Sequence, residues 1–344
     1  MSSIFYIILL LLKFLADGFR IEIENYYQFQ DMKRSAKIII LLAIILLSTM
    51  GLIVIFSKNR QSTEKISIVT TNFPAYDFAR AVSGDKATIK MLVKPGTELH
   101  DFEPSPQDII SIENCDLFVY TGGESDEWVE DILKDLNNVR TLKMLDSVEA
   151  IEEEIIDGME AEEEESDEPE YDEHVWTSLK NAQKIASDIK KILAEISPEN
   201  ADYFEEKATN YNNQLSELDT KFQKIVDSSK RKTLVFGDRF PLRYFVEDYN
   251  LQYYAAFPGC SEQTEASSAT IAFLADKVKA ENIPVVLKIE MSSDKISQTI
   301  ADETGAKVLT FNSAHNISAE DFRNNVTYLD IMQDNLSVLE EALR

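Results

Sequence analysis

From Lys65 onward, short apolar runs alternate with longer stretches that repeat every three to four residues. Ile66–Thr70 (ISIVT), Ile89–Val93 and Leu117–Tyr120 have the length and β-branched content of buried strands. Helices are predicted between them, over Phe73–Val82 and from Pro106 to Ile112. The alternation returns in the second half. Strands are predicted at Thr233–Phe236, Leu251–Ala256, Val285–Ile289 and Val308–Phe311, with helices at Leu242–Tyr249, Ala269–Ala280, Lys295–Thr304 and Tyr328–Leu343. Strands that alternate with helices in this way form parallel sheets covered on both faces. Between the halves, Leu179 to Lys230 is almost continuously helical in pattern, broken near Ser197-Pro198, where a Ser cap precedes a Pro at the first position. The expected fold is therefore α/β: two lobes with mainly parallel sheets flanked by helices, joined by a long connector helix.

Two apolar stretches precede the globular pattern. Ile4–Leu12 ends at Lys13, and Ile38–Phe56 follows Lys33, Arg34 and Lys37. The second is about 19 residues, roughly 28 Å as a helix, enough to cross the hydrocarbon core of a bilayer. The basic residues before it would stay inside and send the remainder out. No A-x-A site and no lipid-bearing cysteine follows, so an uncleaved anchor is expected over a removed signal peptide. Met32 stands directly before the basic cluster and is a candidate natural start, with residues 1–31 then expected to lie upstream of it. The expected organisation is an anchor region over 1–59, a first lobe over 65–178, a connector over 179–230 and a second lobe over 231–344.

The chain has 344 residues, with 34 basic and 61 acidic side chains and a net charge of −27. So negative a surface repels nucleic acid and anionic lipid and attracts cations. The acid is partly concentrated in residues 149–173, a charge run expected to be a solvated loop or disordered insert of the first lobe. It reads either as a collecting surface for cations or as a solubilising linker. Cys115 and Cys260 are far apart and lack CxxC spacing, which excludes a cysteine zinc cluster and predicts two buried small residues.

The sequence contains three histidines, His100, His174 and His315, each at a predicted strand–helix junction. Neutral imidazole is the commonest metal ligand, and such junctions face the binding crevice of an open α/β sheet. Their contexts are specific. GTELHDFEPSPQDI around His100, DEHVWTS around His174, NCDLFVYTGGESDEWVEDIL, SPENADYF and the closing TYLDIMQDNLSVLEEAL together resemble the zinc- and manganese-binding solute receptors of ABC importers, the cluster A-I family, over roughly residues 65–344.

That resemblance implies a cleft between lobes holding one transition-metal ion, with His100 and His174 as the first two ligands. The family's third ligand, His or Glu, follows the first strand of the second lobe. Here the segment is LVFGDRFPLRYF, and Asp238 is the nearest candidate, unless it caps the next helix or pairs with Arg239 or Arg243. The fourth, normally an Asp, falls in LTFNSAHNIS, which offers His315, unless that residue is only an exposed loop histidine. Glu265 is a reserve ligand. Glu262, Glu265 and Glu290 are otherwise outer partners of the ligands or helix caps. Among the aromatics Phe73, Phe102, Trp128 and Trp176, the last sits beside a proposed ligand. Three imidazoles and a carboxylate favour tetrahedral zinc, with manganese as the alternative if carboxylates dominate.

The function implied is capture of the ion outside the membrane and delivery to an ABC transporter permease, by a monomer that binds no nucleic acid. No HExxH, Gly-x-Ser-x-Gly or Gly-rich phosphate loop supports an enzyme. A surface adhesin on the same fold is the remaining rival.

Overall fold

Alternate residues of each strand serve opposite faces of a sheet, and that rule organises the whole molecule. The computed structural model describes Lys13 and residues 65–344, except 98–101, 137–138, 161–169, 260 and 262–264. His100, Cys260, Glu262 and the apolar run 38–56 therefore lie outside the described residues. Among the described residues no helix is long and apolar enough to cross a membrane.

The first lobe carries strands β1 (Ile66–Thr70), β2 (Ala87–Met91), β3 (Leu117–Tyr120) and β4 (Thr141–Lys143), with helices α1 (Phe73–Ser83), α2 (Pro106–Glu113) and α3 (Glu127–Asp135). The connector is two helices, α4 (Leu179–Ile196) and α5 (Ala201–Ser228). The second lobe carries β5 (Thr233–Arg239), β6 (Gln252–Phe257), β7 (Val285–Lys288) and β8 (Lys307–Thr310), with α6 (Arg243–Tyr249), α7 (Ser268–Glu281), α8 (Lys295–Thr304), α9 (Ala319–Arg323) and α10 (Tyr328–Ala342). The sheets are ordered β2-β1-β3-β4 and β6-β5-β7-β8, with every pairing parallel. The same topology is thus used twice.

Ile66 and Ile68 of β1, Leu117 and Val119 of β3, Leu234 and Phe236 of β5, and Val285 and Leu287 of β7 all enter one apolar cluster. That cluster also takes Ile185 and Leu193 of α4 and Phe204 and Phe222 of α5. The intervening residues face outward, Val69 and Phe118 into a small core under α2 and α3, and Val235 and Val286 into another under α7 and α8. Residues 65–344 form a single compact unit.

Caps set several helix starts. Asn72 accepts from the Ala75 amide, Ser178 from Asn181 and Ser267 from Thr270. Ser105 with Asp108, and Thr327 with Asp330, form capping boxes. Ser197 does not cap α5 as expected. It bonds to Glu199 and Asn200 around a 3-10 turn over Pro198–Asn200, and the long helix follows.

The acidic run departs from expectation most. Its described parts, residues 149–160 and 170–173, are neither disordered nor merely solvated. Glu152 bridges Tyr171 in antiparallel fashion. The Ile151 amide donates to the Tyr244 hydroxyl at 3.2 Å, Glu154 pairs with Arg243 at 3.0 Å, and the Glu160 amide donates to the Ala256 carbonyl at 3.0 Å. The run has cationic and amide partners waiting on the second lobe, which its composition could not disclose. It is a strap laid from one lobe onto the other.

Candidate metal centre

His174 follows the strap and precedes a 3-10 turn over Val175–Thr177. Asp172, two residues earlier, turns one oxygen back on it. Asp172 Oδ1 accepts from the His174 amide at 2.8 Å and lies 3.1 Å from Nδ1. Such a contact fixes the tautomer with the proton on Nδ1 and leaves the Nε2 lone pair for a ligand. Nε2 is buried and has no hydrogen-bond partner. Burial works against the imidazolium. The charge and hydrogen bond of Asp172, with the charges of Glu173 and Glu153, outweigh it and hold His174 above the ordinary histidine range.

The second histidine arrives from the other lobe. The loop after β8 is built around Glu290, whose carboxylate accepts from the Ser313 amide at 2.7 Å, the Ser313 hydroxyl at 2.8 Å and the His315 amide at 3.0 Å. Ala314 adopts φ 58°, a left-handed conformation costly for a residue with a Cβ, which the surrounding bonds hold in place. The outcome is that the His315 and His174 rings lie 5.2 Å apart between centroids. Trp176 fills the angle between them, 5.4 Å from His174 and 5.7 Å from His315, and its Nε1 donates to the Ser313 carbonyl at 3.0 Å. It is fully buried, as is Phe73.

His100 lies outside the described residues, but Thr97, three positions earlier, is placed. Its carbonyl accepts from Asn316 Nδ2, the residue next to His315. Asp238 stands at the end of β5 and is buried. Its Oδ1 accepts from the Arg239 amide at 2.8 Å, and Oδ2 from the Ile289 amide at 3.0 Å and the Ser292 hydroxyl. It neither caps α6 nor pairs with Arg243, which goes to Glu154 and Glu247. It ties the C-terminal end of β5 to that of β7. Glu265 is exposed and pairs with Lys295 at 3.2 Å. Cys115 is a free thiol, pushed up to about 11 chiefly by burial. Among the described residues no three His, Cys, Asp or Glu side chains converge closely enough to hold an ion.

A second buried group supports the His174 loop from beneath. Glu173 accepts from the amide and hydroxyl of Ser125. Asp126 accepts from the amides of Thr121 at 2.7 Å and Gly122 at 3.1 Å, and its carboxyl is pushed up to about 7 by burial and then by the charge of Glu173. A separate cleft of about 730 Å³ runs beside the strap, lined by Glu149, Glu152, Glu154, Lys184, Arg243 and Asp248 among others, and neither histidine lines it. Asp172 and Glu153 were not singled out from the sequence. For Asp172 the D-x-H spacing was a usable signal, whereas nothing local marks one glutamate in an acidic run.

The family model for the periplasmic zinc-uptake complex component A, ZnuA, matches residues 68–342. The zinc-binding lipoprotein AdcA of Streptococcus pneumoniae is 31% identical over 294 residues, 83% of this chain and 57% of that protein. This chain thus spans little more than half the length of AdcA. The high-affinity zinc uptake system protein ZnuA of Bacillus subtilis is 30% identical over 285 residues, 81% of this chain and 88% of that protein. The crystal structure of the Zn(II)-bound ZnuA-like domain of Streptococcus pneumoniae AdcA aligns with a TM-score of 0.68 at 29% identity, covering 81% of this chain and 99% of that one.

Proposed function

Because this chain belongs to the zinc-uptake complex component A (ZnuA) family, we propose that it is the extracytoplasmic substrate-binding component of an ABC-type importer, capturing one divalent transition-metal ion, zinc, and passing it to a membrane permease. The observation that carries this reading is the approach of His174 and His315 from different lobes, with ring centroids 5.2 Å apart. His174 contributes Nε2, oriented by Asp172 on the far side of the ring. His315 comes on a loop held by Glu290. His100, outside the described residues, is the third imidazole of this reading, and the carbonyl of Thr97, three positions earlier, accepts a bond from the neighbour of His315. Three neutral imidazoles suit zinc better than the harder manganese ion.

The role is binding and delivery rather than catalysis, by a monomer. Its place is the outer face of the membrane, tethered through the apolar run 38–56 (Ile38–Phe56). In this reading Asp238 joins the ends of β5 and β7 rather than ligating the ion, because both of its oxygens already accept bonds.

The test is a competitive zinc titration of the full chain against its His174→Ala and His315→Ala variants. One tight equivalent is expected, weakened in each variant by more than the roughly 10–100-fold that loss of an outer partner costs. Absence of a tight equivalent, or variants that bind as the unaltered chain does, would sink the reading.

A further inference from the structure

The carboxylates set around the histidine pair are mostly committed. Asp172 Oδ1 is occupied by the amide and ring of His174. Glu290 takes two amides and a hydroxyl, and Glu173 takes Ser125. Glu153, on the strap, is engaged as well, but beside the His174 ring. Its backbone is pinned, since its amide donates to the Glu170 carbonyl at 2.9 Å. Its side chain reaches to the second lobe, where Oε1 accepts from the Gly259 amide at 2.8 Å. A Cβ added at Gly259 would lie 3.2 Å from His174 Cε1 and 3.3 Å from Glu153 Oε1. The carboxylate and the edge of the imidazole therefore flank the same side-chain-free position. Cε1 lies between Nδ1, which Asp172 engages, and Nε2, which is buried with no hydrogen-bond partner.

We propose that Glu153 supplies a carboxylate oxygen to the divalent cation bound by His174 Nε2, so that the acidic strap completes the donor set in place of a carboxylate from β5. This rests on the reading given under Proposed function. Ligation takes a rotamer change in Glu153 with release of the Gly259 amide, while its neighbours keep the strap in place. Glu154 holds Arg243, and Glu160 accepts from Ser267 and Thr270. Imidazoles with one carboxylate make a tetrahedral set suited to zinc. The glycine at position 259 leaves room for the two donors to meet. The strap thereby has a defined role: one of its many carboxylates is a donor and others are anchors.

The test compares the full chain with Glu153→Gln, Glu153→Asp, Glu160→Gln and His174→Ala. Zinc affinity is read by competition with a chromogenic chelator, and the coordination sphere by the visible absorption of bound cobalt(II). Glu153→Gln is expected to weaken zinc at least tenfold and to shift the cobalt bands. Glu153→Asp, which keeps the charge but draws it back by one methylene, is expected to fall between. Glu160→Gln, which loosens an anchor, is expected to leave the cobalt bands unchanged. Melting of the metal-free proteins separates a ligand effect from misfolding. A Glu153→Gln protein that keeps zinc within twofold and an unaltered cobalt spectrum overturns the inference. If His174→Ala then loses zinc, only the role of Glu153 is lost; if it too retains zinc, the histidine site falls as well.

Discussion

With His174 as the proposed ligand, Asp172→Asn isolates the part of metal affinity that comes from outside the coordination sphere. Asp172 is 1% exposed and His174 0%, so their contact is screened very little by water. One oxygen of Asp172 serves both the His174 amide at 2.8 Å and Nδ1 at 3.1 Å. Asparagine offers an oxygen of the same reach, so the ring keeps its orientation and its tautomer. What disappears is the negative charge, which makes the imidazole a stronger donor. Changes of this kind cost about 10–100-fold in metal affinity, or about 1.4–2.7 kcal/mol. The metal-free protein should lose at most about 1 kcal/mol, because both hydrogen bonds persist with a neutral acceptor. The assay is competitive zinc titration beside urea unfolding of the metal-free chain. An Asp172→Asn protein that binds zinc within twofold of the unaltered chain would refute the reasoning. So would a loss of stability as large as the loss of affinity, since Asp172 would then be a folding residue only.

Three further outcomes are expected. Asp126 has its carboxyl pushed up to about 7 in the folded protein against an ordinary 3.8, so the native state holds a proton that the unfolded chain has released. Stability should fall as pH rises between those values and level off above, and Asp126→Asn should flatten that slope in urea midpoints taken from pH 4 to 8; an unchanged slope counts against a buried neutral carboxyl. Gly237 faces α8, where an added Cβ would stand 2.5 Å from Ser297 Cα and 2.7 Å from its amide nitrogen. Gly237→Ala should therefore cost about 1–3 kcal/mol and lower Tm by several degrees, and a melt matching the unaltered protein would show that α8 yields freely. Trp176→Phe removes the donor to the Ser313 carbonyl. The expected loss is about 1–3 kcal/mol in urea unfolding with zinc stoichiometry kept, and an unshifted midpoint would show that water replaces the indole.

The alternation of apolar residues was enough to predict the doubly used parallel sheet, because each buried strand is short and flanked by caps and helices. β4 escaped, since Thr141–Lys143 is three half-buried residues with no alternation to read. α3 was not predicted, although Trp128, Val129, Ile132 and Leu133 recur at helical spacing. β2 was expected at Ile89–Val93 and is found at Ala87–Met91. Leu92 and Val93 still donate to the Thr70 and Thr71 carbonyls as the chain leaves the ladder, so the apolar signal runs past the strand. The nearness of His174 and His315 was expected from residue type and position, whereas His100 lies outside the described residues. The engagement of Asp238 was not expected, because two of its three partners, the Ile289 amide and the Ser292 hydroxyl, lie 51 and 54 residues away along the chain. The strap failed for the opposite reason. Composition reports how poorly a segment packs by itself, and says nothing of Arg243, Tyr244 and Gly259 waiting on the second lobe.

The shared core limits how a cargo held under the proposed function could be released. Many two-lobed receptors open about a hinge, and parting the jaws uncovers mainly polar surface. In this chain Leu117 and Val119 of one sheet belong to the same apolar mass as Phe236 and Leu287 of the other, with Phe222 of α5 among them. Drawing the sheets apart by enough to expose 400 Å² of that mass, an illustrative area, would cost about 10 kcal/mol, which makes such an opening rarer than one molecule in a million. Thermal motion then has the loops to work with, and little else. Under the proposed function, the residence time of a bound ion would be set by how fast the His315 loop and the strap rearrange, and a transporter that shortens it would grip those two segments rather than prise the lobes apart.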